Sequence, residues 1–133
     1  MSTNATIAYQ AKDKVIEVIY CHWDGYPEGV GKRLKEHYTT EEKLEKLFAL
    51  GDLSSLGTEP IDYPEGWKPT EVVPDDRCLS YRARGDSEAE TAPFTFFFLT
   101  HYFEELSPQQ FNYIWLDGKW QVWENSKADL REL

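Results

Sequence analysis

Hydrophobic and polar positions change period along the chain, and the changes mark its elements. Thr6 to Ala11 and Val15 to Cys21 alternate as strands and read as a β-hairpin turning at Lys12-Asp13-Lys14. In the second arm only Glu17 and His22 interrupt the apolar pattern, which predicts a central strand buried on both sides with Glu17 near a rim. Asp24-Gly25 ends that strand. Pro27 fits the first turn of a helix, where a missing N–H costs nothing, with Asp24 or Tyr26 at the cap. Val30, Leu34, His37 and Tyr38 follow at helical spacing. Gly29 and Gly31 each lower helix propensity by about 1 kcal/mol relative to Ala, so close packing of the neighbouring strand, or of a ligand, is expected there. Thr39-x-x-Glu42 reads as a capping box for a second helix with Leu44, Leu47, Phe48 and Leu50 as its apolar face, closed by Gly51.

The middle of the chain loses periodicity. Asp52 to Gly57 reads as a turn holding two buried leucines, with Asp52 capping or bonding back into the Asp24-Gly25 junction. Pro60, Pro64, Pro69 and Pro74 then punctuate a long loop or insertion at about 58–76 within a single domain, 1–133. Trp67 lies in this loop as an anchor to the core or a partner contact. A third strand is expected over Cys78 to Arg82. Phe94 to Thr100 is the most apolar run. Thr and Phe favour a strand for its first half, while a helix through Leu106 stays open. Phe111 to Leu116 and Lys119 to Glu124 form a hairpin on Asp117-Gly118, a strong two-residue turn signal. A short helix is expected from Lys127. The fold class is therefore α+β: an antiparallel or mixed sheet of N-terminal hairpin, middle strand and C-terminal Asp-Gly hairpin, with two consecutive helices packed on one face.

Charge narrows the partners. The formal net charge is −10, and binding phosphate backbones needs an excess of Lys and Arg, so direct nucleic-acid contact is disfavoured and a basic protein partner is favoured. No apolar run approaches a membrane span, and Met1 to Thr6 shows neither a basic nor a hydrophobic leader region, which predicts a cytoplasmic chain. Cys21 and Cys78 stand far apart and outside any CxxC pair, so no metal site and no cofactor is expected.

The densest chemistry is Tyr20-Cys21-His22-Trp23-Asp24-Gly25-Tyr26-Pro27. Cys21 and His22 are adjacent on a strand and point to opposite faces, so they cannot form a dyad; Cys21 as nucleophile needs His37 or His101 as its base. His22 and Asp24 could share a side, as base and orienter. The amides of Tyr26 to Gly29 could hold an anion at a helix start. Arg82 and Arg84 could clamp an anion or pair with nearby acids. Against these stands a purely structural corner of His22, Trp23, Asp24 and Tyr26, which is the reading favoured over catalysis.

That segment, with Gly29-Val30-Gly31, Leu50-Gly51-Asp52-Leu53-Ser54-Ser55-Leu56 and Tyr81-Arg82-Ala83-Arg84-Gly85-Asp86, resembles a family of small uncharacterised proteins of phages, prophages and bacteria. The resemblance implies an accessory protein of the host-cell cytoplasm and carries no catalytic mechanism. The leading expectation is an acidic, non-enzymatic binding module that inhibits or modulates a host or phage protein, such as a nucleic-acid-binding defence protein. Trp67, Asp75, Asp76, Asp86, Glu88 and Glu90 are its expected contacts. The alternative is a ligand-binding protein or hydrolase-like enzyme centred on the Cys21–Pro27 junction. A homodimer stays open.

Overall fold

The computed structural model describes residues 2–64, 66–68, 73–125 and 127–133, with backbone alone at 127–129. Pro69 of the predicted loop lies outside the described residues. The fold is α+β on a mixed sheet of 8 strands. Strands β1 (Ala5–Gln10) and β2 (Ile16–Cys21) form the expected antiparallel hairpin. β1 also pairs in parallel with β6 (Phe111–Leu116), which runs through the Asp117-Gly118 turn into β7 (Lys119–Glu124). Both turn residues take the left-handed backbone that a tight two-residue hairpin needs, Asp117 at φ 49° and Gly118 at φ 78°.

Between these hairpins the chain lays its helices on one face. A wide helical turn, Pro27–Gly31, runs into α1 (Lys32–His37), and α2 (Glu41–Ala49) follows. The α2 cap is Thr40 rather than Thr39: its side chain accepts from the Lys43 N–H at 3.3 Å. Gly51 at φ 76° closes the helix, as expected of a glycine past the last turn. The core on this side joins Ile7, Ile19, Cys21, Leu34, Leu44, Leu47, Phe48, Tyr113 and Trp120.

The opposite face is covered too, which the sequence reading did not anticipate. β5 (Phe94–Phe96) pairs antiparallel with the first half of β2, and α4 (Leu99–Glu105) packs Leu99 and Tyr102 against Ile16, Val18, Ile114 and Trp123. The ambiguous apolar run is thus strand first and helix second, with Phe98 between them as the helix cap. Just before β5, α3 (Glu88–Thr91) is one capped turn.

Three expectations change. The segment after Asp52 is strand β3 (Leu53–Ser55), parallel to β2, because Leu53 is drawn into the sheet beside Cys21. The third expected strand shrinks to β4 (Leu79–Ser80): Tyr81 onward turns, with Arg84 and Asp86 N–H both donating to Tyr81 O. The expected C-terminal helix is instead edge strand β8 (Lys127–Glu132), antiparallel to β7, since ladder bonds to β7 outweigh the helix propensity of so short a segment.

Large aromatics lock the layers through their polar ends. Tyr113 Oη donates to Gly25 O at 2.7 Å, Trp120 Nε1 to Tyr38 O at 2.8 Å, and Tyr38 Oη to Gly57 O at 2.7 Å. Each satisfies a buried polar atom that would otherwise oppose burial of its ring. The glycines of the junction answer to the same crowding. A Cβ on Gly29 would run into the Asp24 carbonyl, and one on Gly31 would press on Tyr113 at 3.1 Å. Gly29→Ala should therefore destabilise the fold by about 1–3 kcal/mol, although helix propensity alone would favour Ala by about 1 kcal/mol. Denaturant unfolding tests this, and a midpoint equal to wild type would show that the Asp24 carbonyl yields freely.

Candidate functional site

β2 ends at Cys21 and the chain leaves the sheet through His22 and Trp23, whose N–H groups still bond to Leu53 O and Ser54 O on β3. Asp24 then adopts φ 58°, reversing the backbone into the helical turn capped by Tyr26. The Asp24 carboxylate accepts from Tyr26 Oη at 3.1 Å. His22 faces elsewhere: its Nδ1 lies 2.7 Å from Tyr20 Oη and 3.3 Å from Asn4 Nδ2. The structure thus gives His22 and Asp24 different partners, and none of the contacts of His22 runs to Asp24. Asn4 also holds the His22 carbonyl at 2.7 Å, and the Trp23 ring meets the imidazole edge-on.

Cys21 is fully buried, and burial pushes its thiol up to about 12, which suppresses the thiolate a nucleophile needs. Neither proposed base approaches it: His37 lies beside Glu36, and His101 stacks edge-on against Phe96 on the other face. Cys78 is buried and free as well, accepting from Gly57 N–H at 3.3 Å. The amides at the helical start are partly spent, since Gly29 N–H donates to Tyr26 O and Val30 N–H to Asp24 O.

The two arginines separate. Arg82 ties the turn to the helices, donating from Nη1 to Ala49 O at 2.8 Å and from Nε to Thr91 Oγ1 at 3.1 Å. Arg84 lies over the rings of Tyr81 and Trp67, with Tyr81 in turn stacked on Tyr20. The pair does not converge as a clamp. Of the expected contact residues, Trp67 is half-buried, and Asp75 bonds the Arg33 guanidinium at 3.3 Å. Asp76, Asp86, Glu88 and Glu90 are exposed.

Two features went unread in the sequence. The first is a cavity of about 290 Å³ beside the junction, lined by Trp23, Asp24, Arg33, Ser55, Trp67 and Arg77 among others. Ser55 and Trp67 both line it, and their buried Oγ and Nε1 have no hydrogen-bond partner among the described residues. The second is a cluster of exposed phenylalanines. Phe94 is 74% exposed, Phe98 68% and Phe97 61%, and Phe103 adds to them from α4. An apolar run has the same composition whether it is buried or displayed, so nothing local marked the difference. One signal was present: no Lys or Arg occurs between Arg84 and Lys119, a span that holds Asp86, Glu88, Glu90, Glu104 and Glu105.

Asp52 connects the junction to this second surface. β3 and β5 share the outer edge of β2, and the Asp52 carboxylate accepts the Tyr20 N–H at 2.9 Å where the edge passes from one to the other. Burial raises the Asp52 carboxyl above its ordinary value, against the lowering pull of that bond and of the Arg82 charge. Among the described residues, no group of three or more His, Cys, Asp or Glu side chains gathers as a metal site, and no helix is long and apolar enough to cross a membrane.

No family model matches the chain at a significant level, and neither does any curated protein or solved structure.

A raised folded-state pKa favours the protonated native form. The contribution of Asp52 to stability is full below its unfolded value near 3.8 and is lost as pH rises through the raised folded value. Asp52→Asn keeps an acceptor for Tyr20 N–H and removes this titration. The stability of wild type minus that of the variant should fall over this window and level off above it, as read by urea unfolding at a series of pH values. A flat difference from pH 3 upward would show that Asp52 titrates as an ordinary surface carboxyl.

Proposed function

We propose that this protein is a non-enzymatic binding module whose contact surface is the phenylalanine cluster of β5 and α4. The observation that carries the reading is the exposure of Phe94, Phe97 and Phe98, each above 60%, within five residues. Leaving three such rings in water forgoes about 1.5–3 kcal/mol of burial each, and large apolar side chains displayed so close together in the chain mark a candidate interaction site. Phe is among the residues enriched where partners dock.

Charge specifies the partner's chemistry. The acids of α3 and α4 flank the rings in sequence, and no Lys or Arg intervenes. A basic protein face with an apolar centre fits this surface: charge steers the encounter, and the rings supply the affinity. Together with the resemblance to small phage and prophage proteins, this supports an accessory role in which the module occupies and inhibits, or modulates, a basic host protein. A nucleic-acid-binding defence protein is one such target, since its groove carries the required charge. Trp67 contributes less than the sequence suggested, because its ring is half-buried beneath Arg84. Asp86, Glu88 and Glu90 remain rim contacts.

A second reading has one observation in its favour. Ser55 and Trp67 line the junction cavity, and their Oγ and Nε1, unpartnered among the described residues, suit a small polar ligand held between Trp23 and Trp67. Quenching of tryptophan fluorescence by a metabolite panel, abolished by Ser55→Ala, would move the function there.

The leading reading is tested by affinity capture at low and high salt, comparing wild type with the double variant Phe97→Ser/Phe98→Ser. The expected result is one stoichiometric basic partner, held by wild type, weakened by salt and lost at least tenfold in the variant, about 1.4 kcal/mol or more. Capture unchanged by the substitutions, or indifferent to salt, would sink it.

A further inference from the structure

A cavity of about 260 Å³ opens next to Phe94, between β2, β5 and the segment following α4. Its walls are of two kinds. Val18, Phe94, Phe96 and Leu106 give it apolar sides, and Asp52 and Glu105 are the charged residues of its lining, beside Tyr20, Ser107 and Gln109. Phe96 and Val18 are buried, whereas Phe94 belongs to the exposed cluster, so the cavity is continuous with the surface already argued to meet a partner.

Among the described residues neither carboxylate has a bonded cation. Asp52 uses Oδ1 on the Tyr20 N–H, and its Oδ2 has no hydrogen bond among the described residues. Arg82 is close enough to influence the Asp52 carboxyl, but its own bonds go to Ala49 O and Thr91 Oγ1. Among the described residues Glu105 forms no ion pair, although several other acids of the molecule do, such as Asp75 with Arg33 and Glu124 with Arg131. A cavity with apolar walls and two unpaired acids in its lining is the complement of one kind of side chain: a long alkyl stem carrying a cationic head.

We propose that this cavity receives a lysine or arginine side chain of the partner, its stem against Val18, Phe94 and Leu106 and its charge facing Asp52 and Glu105. The inference rests on the binding-module reading, which it deepens by naming the anchor. The phenylalanines provide area, and the cavity provides selection. A basic residue fits, while a neutral or acidic one would leave two carboxylates facing an unpaired or like charge in a site half shielded from water. Lysine would fit as a point charge; arginine would add bidentate geometry at one carboxylate.

The test uses the full chain, labelled with ¹⁵N, and three probes: the N-acetyl, N-methylamide derivatives of lysine, arginine and norleucine. Norleucine has an alkyl stem of the same kind and no charge. The expected result is saturable amide shifts confined to residues around Tyr20, Asp52, Glu105 and Leu106 with the lysine or arginine probe, and affinity at least tenfold weaker for norleucine. Asp52→Asn should weaken the cationic probe about tenfold, the effect of about 1.4 kcal/mol expected when one charge-assisted contact becomes neutral. Glu105→Gln, at an exposed position where folding is not at risk, should weaken it as well. Equal binding of norleucine, shifts centred elsewhere, or no saturable shift with either cationic probe would overturn the proposal. The two readings fail separately. If Phe97→Ser/Phe98→Ser abolishes partner capture while the cationic probes do not bind, the surface stands and the anchor falls. If the probes bind and those substitutions leave capture intact, the cavity is a cation pocket but the phenylalanine surface is not the interface, and the anchor role falls with it.

Discussion

The outer edge of β2 is shared. Its first half pairs with β5, its end pairs with β3, and the two neighbours run in opposite directions beside it. A backbone donor stranded at such a changeover would cost about 1–3 kcal/mol, and here the Asp52 carboxylate takes the Tyr20 N–H. Much of the architecture follows from that arrangement. β3 pulls the chain back beside Cys21, which sets the reversal at Asp24 and the path of the helices. β5 brings the phenylalanine run alongside Ile16 to Val18, where Phe96 is buried and its neighbours are not. Asp52 also lines the cavity that opens between these strands.

The two faces of the sheet divide the work differently. On the α1–α2 side Tyr38, Tyr113 and Trp120 each close a hydrogen bond with a distant carbonyl, so ring burial and backbone satisfaction occur together there. Cys21 and Cys78 belong to this side, and burial keeps both thiols protonated at neutral pH. On the α4 side Tyr102 and Trp123 are joined through Trp123 Nε1 and Tyr102 Oη, 3.1 Å apart, but the layer stops short of the β5 margin. The two thiols are thus sealed, whereas Trp23, Asp24 and Tyr26 stay exposed beside the junction cavity and the phenylalanines of the β5–α4 segment stay exposed on the other side. With the Cys21 thiol buried and His22 and Asp24 bonded to different partners, the Tyr20–Pro27 segment holds no assembled nucleophile–base pair.

How much of this was legible in the sequence depends on the range of the interactions involved. The hairpin on Asp117-Gly118 was readable to the residue because a left-handed turn and strict alternation are local properties. The N-terminal hairpin, the glycine that ends α2 and the crowding at Gly29 and Gly31 were readable for the same reason. The helix expected from Lys127 failed because a weak local preference yielded to an available strand edge on β7. β3 was missed since three residues carry too little pattern to outweigh a turn-rich composition. The role of Asp52 was half visible, as a residue bonding back toward the junction. Which phenylalanines face water, and which carboxylates border a cavity, depended on where α4 ends relative to β2, and no periodicity encodes that.

The parallel pairing of β1 with β6 has a consequence for how the chain is made. Thr6 and Asn112, whose side chains meet at 2.9 Å in the middle of that pairing, are 106 residues apart. During synthesis the N-terminal hairpin emerges early and waits for nearly the whole remaining chain before its second edge is covered. A contact map dominated by such distant pairs slows folding, because loop closure must precede the contacts that reward it. In the interval a bare, apolar strand edge is open to other nascent chains.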